Sequence, residues 1–93
     1  MGSLQEDFEK LKAFDDNIRN ALNDKMLSEE EMNKIIHLVH INNYLQIIYS
    51  FEIEVLKALL EHFLEVENYD QCAFIRDSVK SHNKATGAQI KLI

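Results

Sequence analysis

Apolar residues recur at steps of three and four near the start of the chain: Leu4, Phe8, Leu11, Phe14, Ile18 and Leu22. Those steps line one face of a helix, while Glu6, Asp7, Glu9, Lys10, Lys12, Asp16 and Asn20 fall largely on the other. The pattern predicts an amphipathic helix over roughly residues 4–23 that ends near Asn23-Asp24.

A second helix has the clearest start signal. The Ser28 hydroxyl can accept from the Glu31 backbone N–H, and the Glu31 carboxylate can accept from the Ser28 N–H. Leu27 and Met32 occupy the two positions of a hydrophobic staple. Glu29 and Glu30 suit the positive end of the helix dipole. The helix is expected to begin at Glu29 and to bury Met32, Ile35, Ile36 and Val39. From Tyr49 to Val55 the pattern alternates as a half-buried strand would, yet Phe51, Val55, Leu59 and Phe63 also stand at helical steps of four. Leu56, Leu60, Leu64 and Val66 extend that stripe, and helix is favoured, with a break at Asn42-Asn43 or at Ser50. A fourth helix should follow Asn68 as N-cap and contain Cys72, Ala73, Ile75, Arg76 and Val79. Gly87 is its natural stop, and the ending QIKLI can fray, pair as a short strand or dock.

Composition agrees with this all-α reading. The 93 residues contain no proline and two glycines, and a chain of this length forms one domain burying somewhat more than roughly 60% of its unfolded surface. The expected architecture is a helical bundle of about four helices ending in an antiparallel helical hairpin. Its parts are residues 4–50 as an N-terminal helical region, 51–84 as the hairpin and 85–93 as a flexible or docked tail. Met1-Gly2-Ser3 reads as a cloning remnant.

The formal charge of −6 is unevenly spread. From Arg76 onward four cations stand against one carboxylate, which leaves −9 on residues 1–75. An acidic body of that kind repels a phosphate backbone, so a protein partner is expected ahead of nucleic acid. The single cysteine cannot form an internal disulfide, and no apolar run is long enough to span a bilayer. A reducing, cytoplasmic setting is expected, with no membrane insertion.

The stretch LKALLEHFLEVENYDQCAFIRDSVKSH, residues 56–82, resembles the UVR motif of the bacterial excision-repair proteins. It has the motif's long apolar-acidic helix, tight corner, aromatic residue, small pair and Arg-Asp. The resemblance implies a two-helix hairpin that makes protein contacts, with Tyr69 as the corner aromatic. Cys72-Ala73 would be the small pair where the helices approach, and Arg76-Asp77 the Arg-Asp. It covers under a third of the chain, and no nuclease or helicase part accompanies it.

Each distinctive residue has a plain reading beside its functional one. Arg76 can pair with Glu61 or Glu65 on the facing helix, or contact a partner. Tyr69 can plug the hairpin's end or face outward. Cys72 reads as a small buried hydrophobe. His37 and His40 share the i, i+3 spacing of a metal pair, without a third ligand in the pattern. No nucleophile–base pair and no phosphate-binding glycine loop is found, so neither an enzyme nor a cofactor protein is expected.

The expected function is a small adaptor or inhibitor that pairs with a larger regulatory protein or with itself as a homodimer. Its contact residues would be Glu67, Asn68, Tyr69, Asp70, Phe74 and Arg76. The alternatives are an excision-repair accessory factor that contacts DNA through its basic tail, and a metal-binding protein using His37 and His40.

Overall fold

The computed structural model describes residues 3–92, with side chains from Glu9 onward. Met1, Gly2, Ile93 and the side chains of Leu4 and Phe8 lie outside the described residues. Within them the chain is all-α: α1 (Ser3–Ala21), a 3-10 turn (Asn23–Lys25), α2 (Glu29–His40), α3 (Tyr44–Ser50), α4 (Ile53–Glu65) and α5 (Tyr69–Thr86). Ser3, set aside in the sequence as part of a remnant, already belongs to α1.

Among the described residues five α-helices replace the expected count of about four, because the third segment breaks twice: at the expected Asn42-Asn43, and just beyond Ser50, which itself ends α3. Asn42-Asn43 separates α2 from α3, and Phe51-Glu52 separates α3 from α4. The alternating stretch Tyr49–Val55 is therefore the end of one helix, a two-residue connection and the start of the next. No strand occurs among the described residues.

The start of α2 forms as its sequence predicts. The Ser28 hydroxyl accepts from Glu31 N–H at 3.1 Å, and Ser28 N–H donates to Glu31 Oε1 at 3.0 Å. Both bonds satisfy donors that a helix start leaves open. The backbone bond from Ser28 comes first among the influences holding the Glu31 carboxyl below its ordinary value. At the other end of the chain, Gly87 closes α5 in the left-handed conformation (φ 74°), its N–H donating to the Asn83 carbonyl.

One hydrophobic core joins the helices. Ile18 of α1, Leu22 just after it, Ile35 and Val39 of α2, and Tyr44 and Ile47 of α3 meet Leu56, Leu59 and Phe63 of α4 and Cys72 and Ile75 of α5. Leu11, predicted for the buried face of α1, is instead exposed, and Phe14 is half-buried. Two polar clamps hold α1 on α2. Arg19 donates to Glu29 Oε1 at 2.9 Å and to Asn33 Oδ1 at 2.7 Å, while His40 Nε2 lies 2.6 Å from Asp15 Oδ1. Helices α4 and α5 pack together from the two sides of the 66–68 corner, and α3 packs on both.

The tail docks. Asn83 Nδ2 donates to the Ile90 carbonyl at 3.0 Å, and Ile90 N–H donates to Asn83 Oδ1 at 3.2 Å. This two-bond clamp brings Ile90 and Leu92 against the core.

Candidate interaction surface

The corner after α4 is a Schellman turn. Val66 caps the helix, Glu67 takes the left-handed conformation (φ 58°), Glu67 N–H donates to the Leu64 carbonyl and Asn68 N–H donates to that of Phe63. Asn68 stands at the N-cap of α5, as predicted, but its side chain makes no capping bond. Of the six residues assigned to contact, Glu67, Tyr69, Asp70, Phe74 and Arg76 are exposed, and Asn68 is half-buried. Tyr69 is 62% exposed and Phe74 43%, so neither closes the core. The plug reading of Tyr69 is thereby corrected.

Two further expectations change. Cys72 is buried as predicted, but Ala73, its presumed companion at the helix approach, is exposed because adjacent helical residues diverge by about 100°. Arg76 forms no ion pair with Glu61, Glu65 or any other carboxylate within 4.0 Å among the described residues. It begins an exposed row at steps of four, with Lys80 and Lys84, that follows the aromatic corner along α5.

The sequence reading missed a recurrence that the backbone makes plain. Residues 37–49, HLVHINNYLQIIY, match residues 62–74, HFLEVENYDQCAF, with His, Asn, Tyr and Gln at four equal positions. The backbone bonds of the two turns correspond, although only Asn43 caps its helix with its side chain, accepting from Gln46 N–H at 3.2 Å. Asn42 N–H donates to Val39 as Glu67 N–H does to Leu64, and Asn43 N–H donates to Leu38 as Asn68 N–H does to Phe63. Asn42 (φ 56°) is the left-handed counterpart of Glu67. The paired units α2–α3 and α4–α5 are thus built on one corner used twice.

The two corner tyrosines have opposite fates. Tyr44 is fully buried under α5, and its hydroxyl donates to Gln71 Oε1. Burial first, and then the nearby Cys72 thiol, push its phenol well above the ordinary value. Tyr69, at the equivalent position, stays largely exposed. The capping valine and isoleucine match as well, Ile41 and Val66 being equally exposed, as do the exposed rings of Tyr49 and Phe74.

Elsewhere the surface offers less chemistry. His40 is engaged with Asp15 and His37 is exposed on the same helix. No group of three His, Cys, Asp or Glu side chains is placed to share a metal among the described residues. A cleft between α1 and α4 is lined by Asp24, Glu61, His62 and Glu65, and a second beside the 3-10 turn by Met26, Tyr49 and Phe51. Among the described residues no helix is long and apolar enough to cross a membrane. No family model, curated protein or solved structure matches the chain.

Proposed function

We propose that this chain is a non-enzymatic interaction module, an adaptor or inhibitor that docks on a larger regulatory protein through the second corner. In this reading α4 and α5 act as an antiparallel hairpin of the UVR kind, and Glu67, Asn68, Tyr69, Asp70, Phe74 and Arg76 form the contact. The observation that carries it is Tyr69, left open at the turn position where Tyr44 is fully covered. Tyrosine and arginine supply much of the energy at interfaces, since each buries a large apolar surface and still makes directed polar bonds.

The row Arg76, Lys80 and Lys84 supports the same face. Like charges at steps of four cost a helix about 0.2–0.5 kcal/mol per pair, a cost that a partner's carboxylates would offset. The expected partner therefore presents an apolar socket for Tyr69 and Phe74 beside an acidic row.

Affinity capture from the source cells tests this reading when wild-type bait is compared with Tyr69→Ala and Arg76→Ala. A partner held by wild type and lost from both folded variants is the expected result. Retention by both variants overturns the assignment.

A further inference from the structure

The chain beyond Gly87 lies against the helices as a strap. Ala88, Ile90 and Leu92 are half-buried and alternate with exposed Gln89 and Lys91, the period of an extended segment with one face on the body. Ile90 and Leu92 pack against the core. The Asn83 carboxamide bonds both backbone groups of Ile90, with Nδ2 donating to its carbonyl at 3.0 Å and Oδ1 accepting from its N–H at 3.2 Å. One side chain thus does what the neighbouring strand of a sheet would do. Extended peptides are recognised in this way, by backbone bonds that ignore sequence beside places for alternate apolar side chains.

The strap is a weakly fastened occupant of that seat. Among the described residues, the two Asn83 bonds are its only hydrogen bonds beyond the turn at Thr86, and none of its residues is fully buried. It leaves α5 at Gly87, which is left-handed (φ 74°) and has open space where a side chain would stand. Its charge is also a poor match. Lys91 follows Ile90 in the strap and Lys84 follows Asn83 in α5, so two cations flank one clamp. Arg76 and Lys80 lie within about 60° of Asn83 around the helix. None of these four cations has a carboxylate within 4.0 Å among the described residues.

We propose that Asn83 and the surface under Ile90 and Leu92 form a peptide-binding seat, closed in cis by the strap and taken by an extended apolar–acidic–apolar segment of a partner protein. The two apolar residues replace Ile90 and Leu92, and the acidic residue replaces Lys91 beside the basic row. The charge that disfavours the strap there favours the incoming segment. The seat needs neither Tyr69 nor Phe74, so it stands or falls apart from the adaptor reading of the second corner.

NMR titration of the full-length chain with two synthetic pentapeptides tests this: AQIKL, the strap's own residues 88–92, and the same peptide with glutamate for its lysine. The chain carrying Ile90→Ser and Leu92→Ser, shown to be folded by circular dichroism, presents an emptied seat. It should bind both peptides with a shift of the Asn83 carboxamide resonances, and the glutamate peptide about threefold more tightly at low salt. Adding Asn83→Ala should weaken both about tenfold, the loss expected of two backbone bonds. Wild type should bind more weakly than the emptied chain, because the strap competes. In wild type, excess glutamate peptide should also speed hydrogen exchange at Ile90 N–H and leave that of Ile47, inside α3, unchanged. No binding to the emptied chain, equal binding by wild type, or indifference to Asn83→Ala overturns the proposal. A preference for the lysine peptide overturns the acidic segment as occupant, and unaltered exchange at Ile90 overturns displacement without any variant.

Discussion

The Tyr44 hydroxyl donates to the side-chain oxygen of Gln71, joining the first turn of α3 to the first turn of α5. The bond ties the two corner units together at equivalent heights. Removing the hydroxyl with Tyr44→Phe leaves the half-buried Gln71 oxygen without its donor and should cost about 1–2 kcal/mol in urea unfolding. A double-mutant cycle with Gln71→Ala should return a coupling of about 1 kcal/mol. Additive single effects would show that the bond contributes nothing.

The matched tyrosines give a sharper contrast. Truncating the buried ring with Tyr44→Ala should cost about 3–5 kcal/mol, as large core truncations do. The same change at Tyr69 should move stability by less than about 0.5 kcal/mol, since an exposed ring leaves no cavity. Equal losses at the two sites, measured by chemical unfolding, would mean that Tyr69 packs in the monomer.

Three non-glycine residues adopt the left-handed backbone conformation, and Asn42 is of a type that tolerates it. Glu67 (φ 58°) and the 94%-exposed Met26 (φ 55°) are left-handed, which costs an L-residue about 1–2 kcal/mol and glycine nothing. Glu67→Gly and Met26→Gly should therefore each stabilise the fold by up to about 1 kcal/mol once glycine's greater unfolded-state entropy is subtracted. In a chain of this size that is a rise in Tm of roughly 4–8 °C. For Glu67, a stabilised fold with weakened binding would identify the glutamate as retained for contact.

At the start of α2, Ser28→Ala should cost about 1 kcal/mol by removing the cap. The Glu31 side of the box is sensitive to pH. Its carboxyl is held below its ordinary value in the folded state, so the stabilisation is present above the unfolded value and fades as pH falls through the lowered folded value. Thermal unfolding across that acidic range should show a smaller loss in Glu31→Gln than in wild type, because the variant has no carboxylate to protonate there.

Local signals were strong enough to be read where they were self-contained. The Ser28–Glu31 box, the Gly87 stop and the buried Cys72 follow from neighbours within one or two turns. The third segment was harder, since a two-residue connection at Phe51-Glu52 turns two short helices into an apparent alternation. The unpaired Arg76 and the docking of the tail through Asn83 depend on which helices meet, which periodicity alone does not give. The repeated corner is different, because His, Asn, Tyr and Gln recur in order twenty-five positions apart, His37 to His62, and the recurrence was legible in the sequence. Its meaning was not, since the same tyrosine is buried once and open once.

The most direct test of the central claim places a photo-crosslinking amino acid at position 69 in the source cell, with position 30 on the exposed start of α2 as control. A discrete crosslinked protein product from position 69 and none from position 30 is the predicted result. Equal labelling from both positions, or none from position 69 in a folded and expressed protein, would contradict the assignment of the second corner as the contact surface.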